Sequence, residues 1–187
     1  MEVSSGRRRA NALGRELSIT IAERCGVAPD AVWEVLADLR AHAEWGGERQ
    51  GKNTRIVSID APEGLASVGV EFETIGADPM GRFHDRSVVT EATRPAAFEF
   101  VTEATLETKK GARADWTLVH RYELTPDDGG CRIAYVVRIV RISELVGMLK
   151  VLGIPILSRL AMKASASVDR RGMRNLARLA EERATTR

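Results

Sequence analysis

The 187-residue chain is poor in cysteine and in aromatic side chains, with two Cys, two Tyr, three Trp and four Phe. The two thiols, Cys25 and Cys131, belong to no CxxC and to no Cys/His cluster. No metal site is therefore expected, and nothing else in the sequence asks for a cofactor. A long apolar run is also missing. The most apolar window, Ile142 to Met162, is interrupted by Glu144, Lys150, Pro155 and Arg159, which argues against a membrane span. The N-terminus lacks the apolar core of a signal peptide, so the expected location is cytoplasmic, with both thiols reduced. Charge of one sign is scarce as well. The formal net charge is +2, with no basic face beyond Arg7-Arg8-Arg9 and the solvent side of the last helix. No nucleic-acid partner is expected.

What is present is an ordinary globular balance, 44% apolar and 29% charged, in a length that suits one domain with a full core. Residues 1–16 are polar and basic and read as a flexible tail, leaving 17–187 as a single domain with no internal repeat. Strict alternation marks a strand from Leu17, where Leu17, Ile19 and Ile21 oppose Ser18, Thr20 and Ala22. Pro29 and Asp30 open a short helix carrying Val32, Val35, Leu36 and Leu39, through the fixed φ and the helix dipole. A second short helix holds His42 and Trp45 and ends at Gly46-Gly47.

Six further strands are expected over 54–60, 68–75, 82–92, 96–102, 115–124 and 131–140. Turn signals at Pro62-Glu63-Gly64, Asp78-Pro79, Arg94-Pro95, Lys109-Lys110-Gly111 and Thr125 to Gly130 separate them. Each strand has one apolar face, so the sheet should be antiparallel and covered on one side. Ser143 to Leu152 reads as a short apolar helix broken at Gly153. From Pro155 to about Arg183, Leu157, Leu160, Ala161, Ala164, Val168, Gly172, Leu176, Leu179 and Ala180 recur at helical spacing. That helix is the one candidate cover of the right size.

The order strand, two short helices, six strands, long C-terminal helix comes with the stretch APDAVWEVLAD, the downstream Trp45, the piece VVTEATRPAAFEF and an Arg-rich last helix. Together these resemble the START-like superfamily, also called Bet v 1-like or SRPBCC, and most of all its bacterial polyketide cyclase/dehydrase and lipid-transport branch. The resemblance spans roughly Leu17 to Glu182. It implies an α+β helix-grip fold in which a seven-stranded curved antiparallel sheet wraps the C-terminal helix. It also implies an internal cavity for a lipid, sterol, polyketide or other apolar ligand. None of these motifs is catalytic, so the resemblance speaks to fold more than to chemistry.

On strand parity, Trp116, Leu118, His120 and Tyr122 share the inward face, with Phe72, Phe98, Phe100 and Tyr135 on neighbouring strands. Ala161 and Ala164 on the helix stripe either leave volume for a ligand or allow closer packing. These ten residues are the expected ligand-binding set. His120 serves as a core histidine bonded to a tyrosine or backbone, as a ligand contact, or as an acid or base. Tyr122 and Tyr135 pack or orient a ligand through their hydroxyls. In the run Arg82, His84, Asp85, Arg86, the arrangement with Phe83 and Val89 inward conceals fewer charges than the reverse. In the family's strand order the first and last strands pair, so a Cys25–Cys131 disulfide is geometrically open while the compartment opposes it. The expected partner is a small apolar or amphipathic molecule, bound or carried. A polyketide aromatase/cyclase using His120 with Tyr122 and an interaction module without a pocket are the alternatives. The segment 144–152 is read as a lid, a transient membrane contact or a packed satellite helix.

Overall fold

Alternating side chains carry seven strands into one antiparallel sheet. The structure, a computed structural model, describes residues 11–50 and 55–186. β1 (Leu17–Cys25) leads to α1 (Pro29–Ala37) and α2 (His42–Trp45). β2 (Arg55–Asp60), β3 (Glu71–Ala77), β4 (Gly81–Thr93), β5 (Ala97–Thr108), β6 (Arg113–Asp127) and β7 (Gly130–Ile142) follow. A 3-10 segment, Gly147–Gly153, precedes α3 (Pro155–Thr185). The strand order is β1-β7-β6-β5-β4-β3-β2. Only the β1–β7 pairing joins strands distant in sequence, and it sets Cys25 opposite Cys131. This curved sheet with its long C-terminal helix and the short helices after β1 is the α+β helix-grip architecture.

Helix α1 begins with Pro29 in its first turn, where the missing N–H is no loss, and Arg94 clamps Asp30 through two 2.6 Å contacts. Its buried face, Val32, Trp33, Val35 and Leu36, packs on the sheet beside Phe98, with Trp33 and Phe98 edge to face at 6.3 Å. The outer face of the sheet is polar and laced with ion pairs such as Arg121 to Glu99 and Glu123, and Arg141 to Glu103.

Two elements differ from expectation. β5 runs six residues beyond Thr102, because its inward positions there, Ala104 and Leu106, are buried while Glu103 and Glu107 are not. Small and polar inward residues make that alternation faint. The β6–β7 turn has two residues instead of six: Asp127 pairs with Gly130, and Asp128 and Gly129 take φ of 30° and 82°. A positive φ at both central positions is what a tight hairpin needs. Pro126 is tolerated inside β6 because β5 stops pairing at Glu123, leaving that edge without a ladder bond to donate.

The long helix is covered only over its second half. Met173, Leu176, Ala177, Leu179 and Ala180 are buried in the main core with α1 and the sheet. Leu157, Leu160 and Ala164, placed on the same stripe by their spacing, are exposed, Leu160 to 61%. Its 31 residues make a helix of roughly 45 Å, and the core it shares with α1 and the sheet takes up the second half. Its first half meets the 3-10 segment instead, where Leu149 and Leu152 form a second small core with Leu106, Ile139 and Ile142. Of the expected tail, residues 1–10, including Arg7-Arg8-Arg9, lie outside the described residues. Asn11 within it bonds Val140 and Ile142 of β7, and Arg15 reaches Ser158 of α3. Among the described residues no helix is long and apolar enough to cross a membrane.

Candidate functional site

The inward faces of β3 to β7, α2 and the middle of α3 line a hollow of about 220 Å³ that is partly open to solvent. Strand register divides its sheet wall in two. Asp85 sits opposite Thr74 on β3, and Ser87 lies between Phe72 on β3 and Thr102 on β5. Ser87 and Thr102 join hydroxyls at 2.9 Å. These side chains make a polar zone over β3–β5. Over β5–β7 the wall is aromatic. Phe100 stacks on His120 at 4.6 Å, and Tyr122 stacks on Tyr135 at 4.7 Å. The helix closes the hollow with Val168, Asp169, Gly172 and Met173, which its 3.6-residue period sets on one face. A Cβ on Gly172 would stand 2.8 Å from the amide nitrogen of Gln50, so the bare α-carbon lets α3 and the segment after α2 approach.

His120 Nδ1 meets the Tyr135 hydroxyl at 2.8 Å. Burial lowers the His120 pKa to about 3, with a smaller contribution from His42. Burial likewise lowers His42 to about 4, although its Nε2 bonds the Leu36 carbonyl at 2.8 Å. Both imidazoles are neutral near pH 7, and the carbonyl partner means that His42 Nε2 carries the proton. Burial also drives Tyr122 and Tyr135 well above the ordinary tyrosine range, assisted by the charge of Asp169. The carboxylates move toward neutrality. Asp85 rises to about 7 and Asp169 to about 6, both through burial. Asp85 Oδ1, Gln50 Oε1 and Trp45 Nε1 are buried without a hydrogen-bond partner, and all three residues line the hollow. No lysine or arginine is in its lining, and no three His, Cys, Asp or Glu side chains among the described residues are grouped to hold a metal ion.

Of the ten expected site residues, Phe72, Phe100, His120, Tyr122 and Tyr135 line the hollow. Phe98 is fully buried between Trp33 and Phe100, beneath α1. Trp116, Leu118 and Ala161 pack against the second core, and exposed Ala164 is no part of the lining. The polar run on β4 turns Phe83, Ser87 and Val89 inward and leaves Arg82, His84 and Arg86 in solvent. That same parity turns Asp85 inward, which alternation between Phe83 and Val89 already signals. Asp169 follows Val168 on the helix stripe, one turn before Gly172 and Met173. Thr74 shares the inward parity of Phe72, whereas His42 and Gln50 lie on elements whose orientation only the folded chain fixes. Cys25 and Cys131 are buried free thiols with pKa values pushed up to about 11 by burial. A larger recess of about 480 Å³ lies between α1 and the end of α3, where Arg183 pairs with Asp38 at 2.8 Å.

No family model matches the chain, and a search of curated proteins finds no match. Solved structures do match. An uncharacterised protein from Rhizobium leguminosarum superposes with a TM-score of 0.63 at 13% identity, over 90% of this chain and 96% of its own. Protein SA2116 from Staphylococcus aureus, of unknown function, gives 0.62 at 11% identity, over 91% and 97%. Ara h 8.0201, a Bet v 1-like allergen, gives 0.52 at 10% identity, over 87% and 99%. The likeness is one of fold. It extends over nearly the whole of each neighbour.

Proposed function

We propose that this chain binds a small amphipathic molecule in the hollow between the sheet and the middle of α3. The carrying observation is the gathering there of Asp85 Oδ1, Gln50 Oε1 and Trp45 Nε1, each buried and unpartnered. A buried polar atom without a partner costs about 1–3 kcal/mol, and three around one void are satisfied together by one polar guest. The aromatic wall would take its apolar part. A volume of about 220 Å³ is below the roughly 300–1,000 Å³ of sites for drug-sized molecules, which favours a compact ligand over a long acyl chain or extended polyketide. The Bet v 1-like fold supports a binding role, and the two free thiols on facing strands suit a reducing cytoplasm. Native mass spectrometry and ligand-observed NMR with a fragment mixture test the reading. Saturable binding that perturbs Tyr122, Tyr135 and Met173 is expected, and the absence of any bound fragment overturns it.

One observation favours catalysis as a second reading. Asp85 at about 7 and Asp169 at about 6 can exchange a proton near neutral pH, whereas neutral His120 and the raised Tyr122 cannot. An acid–base enzyme built here would work through Asp85. Its rate would follow an ionisation near pH 7 that Asp85→Asn removes.

A further inference from the structure

The unmet polar demand of the hollow is mainly for donors. Asp85 Oδ1 and Gln50 Oε1 are acceptors with no partner, and neither Asp85 nor Asp169 forms a salt bridge among the described residues. Asp85 comes from the sheet wall and Asp169 from the helix opposite, so carboxyl groups face the void from two sides. No basic side chain of the lining offsets them, and the two imidazoles there are neutral. A cation is therefore missing from the site. The remaining wall is aromatic, with Phe72, Phe100, Tyr122, Tyr135 and Trp45 in the lining. Trp45, 6% exposed, adds one buried N–H that asks for an acceptor.

We infer, resting on the binding role proposed above, that the ligand is a compact protonated amine on an aromatic or short apolar body, its ammonium held by Asp85, with Asp169 adding negative charge from the helix side. The ammonium supplies the donors that Asp85 and Gln50 lack, and its charge favours the ionised form of both carboxyl groups. The apolar body lies against the stacked rings of β5–β7. A hydroxyl on that body answers Trp45 Nε1. An anionic ligand meets two carboxyl groups and no cation, so the site discriminates against it by repulsion as well as by unmet contacts.

Three molecules of nearly equal shape separate charge from shape: tyramine, its alcohol analogue 4-hydroxyphenethyl alcohol, and 4-hydroxyphenylacetate. Titration calorimetry of the full chain near neutral pH should give tyramine about tenfold or more tighter binding than the alcohol, the worth of one charge-assisted hydrogen bond, and no binding of the acid. Asp85→Asn should abolish the preference for amine over alcohol, the amine losing about tenfold or more and the alcohol less, and Asp169→Asn should reduce that preference. Both variants remove a buried charge, and a thermal melt confirms that they fold. Equal binding of amine and alcohol, tighter binding of the acid, or amine preference that survives both substitutions overturns the inference. If the alcohol binds and the amine does not, the pocket reading stands and the inference falls. If all three and the fragment mixture fail to bind, both fall.

Discussion

Single residues decide the electrical character of the hollow. Asp85 has a folded pKa of about 7 against an ordinary value near 4, so the empty protein binds a proton there that the unfolded chain releases. The stabilising contribution is full below about pH 4 and is lost as pH rises through 7. Asp85→Asn should therefore raise stability by about 2–4 kcal/mol at pH 8 and by nearly nothing at pH 4, read from urea unfolding at both pH values. The sign would reverse if a cationic side chain held Asp85 ionised. Gly172 makes a second residue-scale test. Alanine there gains up to about 1 kcal/mol of helix propensity, and the atom it meets is the movable end of Gln50. Gly172→Ala should leave stability unchanged or raise it by about 0.5 kcal/mol, while displacing Gln50 and weakening tyramine binding in the same calorimetric assay. Asp85 was legible in the sequence once parity was assigned, since Phe83 and Val89 flank it at even spacing. Asp169 was not, because an aspartate beside an apolar stripe usually reaches water, and only the sheet's approach at that turn half-buries it.

At the scale of elements, α3 is two helices in energetic terms. Its second half is nailed to α1 and the sheet by Met173, Leu176 and Leu179, while its first half presents Ile156, Leu157 and Leu160 outward. Leu176→Ala should cost about 2–5 kcal/mol, the range for emptying a packed leucine site, and Leu160→Ala less than about 0.5 kcal/mol. Chemical denaturation of the two variants checks this, and similar losses would mean that the first half packs as its periodicity reads. The apolar spacing alone cannot distinguish these halves, since one stripe runs through both. What distinguishes them is how far the partner surface extends. The strands show the complementary lesson. β1 and β7 were readable from alternation, with Ile19, Ile21, Ile133 and Val137 inward, whereas the second half of β5 was hidden by inward Thr102 and Ala104.

At the scale of the whole molecule, the sheet is completed at one edge by pairing its first strand with its last, β1 against β7, and held by the C-terminal half of α3. Local opening should follow that pattern. Hydrogen exchange should find the slowest amides in β5, β6 and β7 and in residues 172–181, and fast exchange over 155–167. Uniform protection along α3 would contradict the division of its burial. Antiparallel pairing, the place of the long helix and the inward set of aromatics were fixed by periodicity and turn chemistry, because which face of a strand is apolar is a local property of the chain. Whether space remains inside, how far the helix is covered, and which acids are walled off from water were decided by tertiary structure. Those depend on the distance between surfaces that are remote in sequence, such as Asp85 and Asp169, and no local pattern encodes that distance.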